Sequence, residues 1–157
     1  MYAPKDHVSY LSDLVPEKFN QTVCKLSKLI KQHFPTVDVI AGRGLSGSMI
    51  IPTLAAKMKL QWAIVRKGKT HSDFKVEVSK VDFKVKVSEV APYKRSNKTT
   101  NVVFVDDLID SGNTYKVVKK QVESKYAQSH IDVVFLGAAL YNYFEVKTAE
   151  KLKQWLS

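Results

Sequence analysis

The chain has 157 residues, a single cysteine and a formal net charge of +10. This length suits one α/β domain with a real hydrophobic core, so we expect a single domain over residues 1–157. No apolar stretch is long enough to cross a membrane, and the charged N-terminus does not resemble a signal peptide. The lone Cys24 excludes an intrachain disulfide and a cysteine-cluster metal site, and it favours a cytoplasmic location.

The positive charge is concentrated in the middle of the chain. Between Lys57 and Lys98 there are twelve Lys and Arg but only four Asp and Glu. Such an excess points to an anionic partner, and both nucleic acid and a polyanionic small substrate fit. A plain solvated surface accounts for part of these lysines without any partner.

The first third of the chain alternates between helix and strand. A helix begins near Pro16 and stops before Pro35, because apolar residues recur at helical spacing between the two prolines. We predict a strand over 37–41, a turn over 42–47, a helix over 48–59 and a second strand over 61–65.

Residues 66–100 have a different pattern. The segment 66–72 is basic and is predicted to be a flexible loop. Two runs, 74–78 and 81–87, then alternate apolar and polar residues, and the phase of the alternation slips by one between them. This pattern predicts two antiparallel strands joined by a turn or bulge. We therefore expect a flexible loop and hairpin over about 66–92.

The most informative stretch lies between residues 102 and 114. Its first four residues are apolar, three of them β-branched, and predict a strand buried on both faces. Two carboxylates, Asp106 and Asp107, stand where this strand ends, and a polar turn then opens a helix. The residues of that turn are Asp110, Ser111, Gly112, Asn113 and Thr114.

This order of residues fits a sugar phosphate. Hydroxyl and backbone N–H groups at a helix N-terminus suit a phosphate, which the two carboxylates upstream would repel. Carboxylates instead accept hydrogen bonds from vicinal hydroxyls or hold a divalent cation. An ordinary buried strand followed by a helix cap is the alternative, and it leaves the doubled carboxylate unexplained.

The last third of the chain completes the alternation. We predict a helix from Ser111, a strand over 131–136, an aromatic patch of Tyr141, Tyr143 and Phe144, and a short helix ending at Trp155. Continuous apolar strands that alternate with helices predict an α/β fold, with a mostly parallel sheet covered by helices on both faces.

The stretch 102–114 resembles the ribose-phosphate signature of the type I phosphoribosyltransferases, which use phosphoribosyl pyrophosphate (PRPP) and Mg²⁺. The resemblance implies that Asp106 and Asp107 bind the ribose hydroxyls, and that they hold Mg²⁺ mainly through PRPP and water. It also implies that the loop from Asp110 to Thr114 surrounds the 5′-phosphate.

Residues 42–47 match the pattern GxGxxG after a strand, which is typical of dinucleotide-binding proteins. Against that interpretation, no acidic residue ends the next strand, where Arg66 stands instead. The segment also resembles the pyrophosphate loop of adenine- and xanthine-type phosphoribosyltransferases. That resemblance implies that Gly42, Arg43 and Gly44 bind the pyrophosphate of PRPP. Members of that family often have a non-proline cis peptide in this loop, which by position would join Gly42 to Arg43. A purely structural turn is the remaining alternative.

Residues 63–69 resemble the passage from strand to flexible loop in the adenine and orotate enzymes. The resemblance implies that Arg66, Lys67 and Lys69 contact the pyrophosphate, sometimes across a dimer interface. Cations at this place would offset the charge that grows on the departing pyrophosphate. The hairpin that follows would form a hood that excludes water. A basic surface loop is the alternative.

Asp110 bears on the nucleobase. It matches the Asp of hypoxanthine- and xanthine-type enzymes, a proposed general base beside the purine; the alternative is a cap of the following helix. Those enzymes also carry a Lys after the strand that matches 131–136, where this chain has 137–140, Gly-Ala-Ala-Leu. Tyr141, Tyr143 and Phe144 are candidates for stacking on a base, although core packing is favoured.

Together these features predict a cytoplasmic, homodimeric phosphoribosyltransferase that joins PRPP to a nitrogenous base, most readily a purine. Three alternatives from other classes are a catalytically silent PRPP-sensing regulator, a nucleic-acid-binding protein on the same fold and, already disfavoured, an NADP-binding protein.

Overall fold

The structure is a computed structural model that describes residues 15–68, 73–79 and 99–156. In chain order its elements are α1 (Pro16–His33), β1 (Val39–Arg43), α2 (Gly44–Met58), β2 (Gln61–Lys67), β3 (Phe74–Val78), β4 (Thr99–Asp106), α3 (Asn113–Ala127), β5 (Asp132–Leu140), β6 (Glu145–Thr148) and α4 (Ala149–Leu152), followed by a 3₁₀ turn, Lys153–Trp155.

The strands form one six-stranded sheet in the order β3-β2-β1-β4-β5-β6. The four central strands are parallel, whereas β3 and β6 pair antiparallel at the two edges. The predicted α/β fold with a mostly parallel sheet is therefore confirmed.

Helices cover both faces of the sheet, as predicted. One buried cluster joins α1 and α2 to the sheet and includes Ile40 and Val103. The other cluster joins α3 and α4 to the opposite face and includes Val39 and Phe104. Because neighbouring residues of β1 and β4 enter different clusters, both strands are buried on both faces, which explains their continuous apolar sequence.

The first helix has the predicted limits. Pro16 stands at its start, where its missing N–H has no helical partner to lose. The last N–H bond of the helix runs from Phe34 to the carbonyl of Ile30, at 2.7 Å, and Pro35 follows. The apolar stripe over this helix is buried at Val23, Leu26 and Ile30.

Several other predicted boundaries were wrong. The predicted turn over 42–47 is almost absent, because β1 continues to Arg43 and α2 begins directly at Gly44 rather than at Ser48. Strand β2 runs to Lys67, since β3 pairs with its last residues. Strand β5 runs to Leu140 because β4 and β6 flank its second half.

The predicted hairpin is described only in part. Its first strand is β3, antiparallel to β2, and its second strand, over 81–87, lies outside the described residues. The strand β6 was not predicted at all. Its four residues carry no alternating apolar pattern, and pairing with β5 is what makes them a strand.

The topology fixes where a ligand can bind. The chain leaves β1 through α2 on one face and leaves β4 through α3 on the other face. In an open parallel sheet, the crevice between two such strands, at their carboxyl ends, is the usual ligand site. In this chain that crevice lies between the ends of β1 and β4.

Candidate active site

The two carboxylates lie where β4 ends. Asp106 is its last residue and is only 6% exposed. Its Oδ1 accepts a hydrogen bond from the Ser46 hydroxyl at 2.7 Å and another from the backbone N–H of Asp107 at 2.9 Å. The backbone is fixed as well, because Tyr141 N–H donates to the Asp106 carbonyl at 3.0 Å and Asn142 N–H to that of Asp107 at 2.9 Å.

The two carboxylates have different environments. Burial, and then the contact with the side chain of Asp107, raises the pKa of Asp106 to about 8. Asp107 is half-buried, and its Oδ1 accepts a hydrogen bond from Leu108 N–H at 2.8 Å. Asp107 is thus the more accessible of the pair, and Asp106 is the one whose ionisation the protein disfavours.

A hydrogen-bonded chain connects this pair to the start of α2. The Tyr141 hydroxyl donates to the Ser46 carbonyl at 2.8 Å, while the Ser46 hydroxyl donates to Asp106. Ser46 was not among the predicted site residues, although it stands inside the GxGxxG pattern. Tyr141 is fully buried, which confirms core packing for this member of the aromatic patch.

The rest of the aromatic patch divides into two environments. Phe144 is half-buried and packs against the core, with the Lys25 ammonium 5.1 Å from its ring centre. Tyr143 is 76% exposed. Only Tyr143 therefore presents its ring to solvent, where it could meet a ligand.

The predicted phosphate loop connects β4 to α3. Helix α3 begins at Asn113, and Gly112 before it has φ +84°, a left-handed conformation that favours glycine. The backbone N–H of Asn113 donates to the Ser111 hydroxyl at 3.3 Å. The first-turn N–H groups of such a helix have no partner within the helix and can bind an anion. Asp110 and Ser111 are exposed and Thr114 is half-buried.

Two details of this loop differ from the sequence-based interpretation. Asp110 is not the cap of α3, because the N-cap residue is Gly112 and no side chain caps it. Trp155 packs directly on Gly112, so that a Cβ at Gly112 would overlap the indole ring. The role of Trp155 was missed, since a contact across 43 positions leaves no local signal.

Basic side chains surround a cavity beside the start of α2. The cavity has a volume of about 320 Å³ and is lined by Arg43, Gly44, Ser48, Val65, Arg66 and Lys67. The structure thus brings together basic residues predicted from two separate stretches. Arg66 and Lys67 lie on β2 rather than in a loop, and Lys69 lies outside the described residues.

The two arginines of this cavity have different partners. The Arg43 guanidinium lies over the Phe74 ring, 5.3 Å from its centre. Arg66 Nη1 is 3.7 Å from Glu77 Oε1, and both side chains are more than half exposed. Such an exposed ion pair contributes little stability.

Gly42 has a structural reason to be glycine. A Cβ at this position would lie 2.6 Å from the Ile51 side chain and 2.6 Å from the Val105 carbonyl oxygen. The close approach of β1 to β4 therefore requires a residue without a side chain. Among the described residues there is no cis peptide bond, so the expectation of one between Gly42 and Arg43 was wrong.

A family model described as the phosphoribosyl transferase domain matches residues 17–153. The chain belongs to this family. The family assignment made from the sequence is confirmed.

Among curated proteins, this phosphoribosyltransferase-family chain is similar to orotate phosphoribosyltransferases. That of Staphylococcus epidermidis is 33% identical over 100 residues, which are 63% of this chain and 42% of the relative. That of Bacillus anthracis is 33% identical over 99 residues, 62% of this chain and 40% of the relative. The matches thus span less than half the length of these relatives.

A solved structure with a similar fold is adenine phosphoribosyltransferase from Saccharomyces cerevisiae in complex with adenine and an imino-altritol bisphosphate. It has a TM-score of 0.50 and 21% identity, and the match covers 79% of this chain and 70% of that chain. At this identity the likeness supports the fold.

The acidic pair fits Mg²⁺ held mainly by a substrate. Within the described ranges no group of three or more His, Cys, Asp or Glu is placed to hold a metal ion. Mg²⁺ commonly keeps several waters and binds through one or two carboxylates plus substrate phosphates. Asp107, half-buried beside the crevice, is suited to such an ion.

None of the described helices is long and apolar enough to span a membrane.

Proposed function

We propose that this protein transfers the phosphoribosyl group of PRPP to a nitrogenous base, most readily a purine, with release of pyrophosphate. The observation that carries the proposal is the Ser46–Asp106 hydrogen bond of 2.7 Å. It connects the start of α2, which borders the basic cavity, to the acidic pair, from which the phosphate loop continues. The proposed sites for pyrophosphate, ribose and 5′-phosphate thus adjoin at the carboxyl ends of the central strands β1 and β4.

The ribose and its phosphate would occupy the crevice between β1 and β4. Asp107 and the more deeply buried Asp106 would accept hydrogen bonds from the ribose hydroxyls. The 5′-phosphate would bind at the start of α3, where N–H groups and the hydroxyls of Ser111 and Thr114 are available. Like charges stay apart in this arrangement, because the carboxylates face the diol rather than the phosphate.

The pyrophosphate would lie in the basic cavity. Arg43, Arg66 and Lys67 line it, and we propose that Lys69 joins them. When the bond between C1′ and the pyrophosphate oxygen breaks, the electron pair leaves with the pyrophosphate. Cations already in place stabilise that charge without reorganisation.

The incoming base would supply the new bond. Its ring nitrogen forms a bond to C1′ and gives up its proton, and we propose that a carboxylate oxygen of Asp110 accepts that proton. Asp110 is exposed in the loop between β4 and α3, two residues before the N-cap. This position is reachable for a base that enters from solvent.

Mg²⁺ bound with PRPP would neutralise part of the pyrophosphate charge. Asp107 would orient that ion through water. Asp106 would hold Asp107 in place by accepting the hydrogen bond from its backbone N–H. We also propose a cytoplasmic homodimer, in which a second copy supplies basic residues near the pyrophosphate.

Two observations point to different bases. Asp110 resembles the general base of oxopurine enzymes, whereas the curated relatives act on orotate by name. A panel of purines and pyrimidines, including orotate, with PRPP and Mg²⁺ resolves this point when pyrophosphate release is measured. We expect release with at least one purine.

The same panel tests the regulator alternative, and a separate binding assay tests the nucleic-acid alternative. PRPP binding without turnover on any base would favour a PRPP-sensing regulator. Tight binding of duplex DNA or RNA that weakens steeply with salt, and that neither PRPP nor pyrophosphate displaces, would favour a nucleic-acid-binding protein. The mid-chain excess of Lys and Arg is the observation behind that second alternative.

A further inference from the structure

Phe74 is the first residue of β3. It does not line the basic cavity, but its ring contacts Arg43, which does. The Arg43 guanidinium carbon is 5.3 Å from the ring centre. A cation at this distance from an aromatic centre is attracted by the negative face of the ring. The contact joins the end of β1 to an edge strand that is two strands away in the sheet.

Phe74 is itself held firmly. Its register partner across the ladder is Lys67, and beside that pair Gly68 N–H donates a hydrogen bond to the Asp73 carbonyl at 2.6 Å. The ring is half-buried and packs against the buried cluster on the α3 face of the sheet. It therefore offers a fixed surface to the guanidinium.

Stacking on a ring has a different chemical consequence from pairing with a carboxylate. A carboxylate at hydrogen-bond distance would occupy N–H donors of the guanidinium and cancel its charge. Glu77, 3.7 Å from Arg66, offsets the charge of that arginine only in part. A ring carries no net charge to cancel that of the guanidinium, and unlike a carboxylate it offers no oxygen to its N–H donors. Among the described residues Arg43 makes no ion pair.

We propose that Phe74 is a positioning residue for Arg43. It fixes the guanidinium at the mouth of the cavity with its donors directed to pyrophosphate. The proposal rests on the function proposed above, in which Arg43 binds the pyrophosphate group. The proposal gives Phe74 a role in substrate binding in addition to its structural role, the packing of an edge strand on the core.

The experiment compares Phe74→Leu with Phe74→Tyr. Leu keeps an apolar side chain but has no aromatic face, whereas Tyr keeps the ring. Affinities for inorganic pyrophosphate and for ribose 5-phosphate are measured by calorimetry. We expect Phe74→Leu to weaken pyrophosphate binding about two- to fivefold and to leave ribose 5-phosphate binding unchanged. Phe74→Tyr should bind pyrophosphate with the wild-type affinity.

A double-mutant cycle separates positioning from general packing. If Phe74 acts through Arg43, then Phe74→Leu has no further effect on pyrophosphate affinity in an Arg43→Ala background. Val76→Ala is the matched control, since Val76 lies on the same strand and packs on the same cluster. It should lower thermal stability without a selective loss of pyrophosphate binding.

Three results would overturn the proposal. The first is an unchanged pyrophosphate affinity in Phe74→Leu, and the second is an equal loss for ribose 5-phosphate. The third is a full effect of Phe74→Leu in the Arg43→Ala background. If the wild type binds neither pyrophosphate nor PRPP, the proposed function fails together with this inference, and that outcome is distinct from the other three.

Discussion

Replacing Asp106 with Asn isolates the cost of ionising a buried carboxyl group. In the folded chain the pKa of Asp106 is raised to about 8, first by burial and then by Asp107, whereas an unfolded Asp titrates near 3.9. Between these values the folded protein keeps a proton that the unfolded chain has lost. The free energy of unfolding therefore falls as pH rises, and the stabilisation present below about pH 4 is gone above about pH 8.

The size of the effect follows from the same pKa. Each pH unit between about 5 and 7 lowers the free energy of unfolding by at most about 1.4 kcal/mol through this one group. The Asn side chain cannot ionise, keeps an oxygen that can accept from Ser46, and has an amide that can donate to Asp107. We therefore expect Asp106→Asn to be more stable than the wild type at pH 7. This difference in the free energy of unfolding should be larger at pH 7 than at pH 5, by up to about 3 kcal/mol.

The assay is urea unfolding at pH 5, 6, 7 and 8 in EDTA, without PRPP, so that neither metal nor substrate contributes. Asp132→Asn is the control, because Asp132 is exposed at the start of β5 and keeps its hydration on folding. A difference between wild type and Asp106→Asn that does not grow from pH 5 to pH 7 would refute the reasoning. So would a difference that Asp132→Asn reproduces.

Three further predictions concern ligands and turnover. In Asp106→Asn/Asp107→Asn the affinity for PRPP and nucleoside monophosphate should collapse while the fold survives, as calorimetry and circular dichroism will show; unchanged affinity would contradict the diol assignment. Asp110→Asn should lower kcat at least tenfold, since general-base catalysis supplies about 10²–10⁴-fold, and PRPP affinity should change little; wild-type turnover would exclude a base at this position. Gly112→Ala should lower the unfolding midpoint and weaken ribose 5-phosphate binding, because its Cβ overlaps Trp155 and its φ is +84°; wild-type values of both would contradict the loop geometry.

The parts of the fold that were predicted correctly have strong local signals. The apolar stripe of α1 is bounded by two prolines, and the buried run of β4 has carboxylates at its end. The acidic pair and the phosphate loop are consecutive in sequence. One short stretch therefore indicated where the strand ends, and it also carries the candidate sugar-phosphate site.

The parts that were mispredicted depend on pairing between distant segments. Arg66 and Lys67 are charged and followed by Gly68, which favours a loop, yet β3 pairs with them and extends β2. The second half of β5 is small and apolar, Gly-Ala-Ala-Leu at 137–140, and has weak strand propensity. Its neighbours β4 and β6 complete its hydrogen bonds and so determine its structure.

The details of the site were the hardest to predict. Ser46 reaches Asp106 across 60 positions, and Tyr141 reaches Ser46 across 95. No periodicity or spacing in one sequence reports such contacts. The sequence predicts candidate groups for PRPP binding, and the fold adds the hydrogen bonds that join Ser46 to Asp106 and Tyr141 to Ser46.

The central claim is tested most directly by ³¹P NMR of one reaction mixture that contains the protein, PRPP, Mg²⁺ and the best base of the panel. The spectrum distinguishes the pyrophosphate group of PRPP, the phosphate of the nucleotide product and inorganic pyrophosphate. We predict that nucleoside 5′-monophosphate and pyrophosphate grow in equal amounts as PRPP disappears. PRPP signals that stay constant with every base, or that give ribose 5-phosphate without any nucleotide, would contradict the claim.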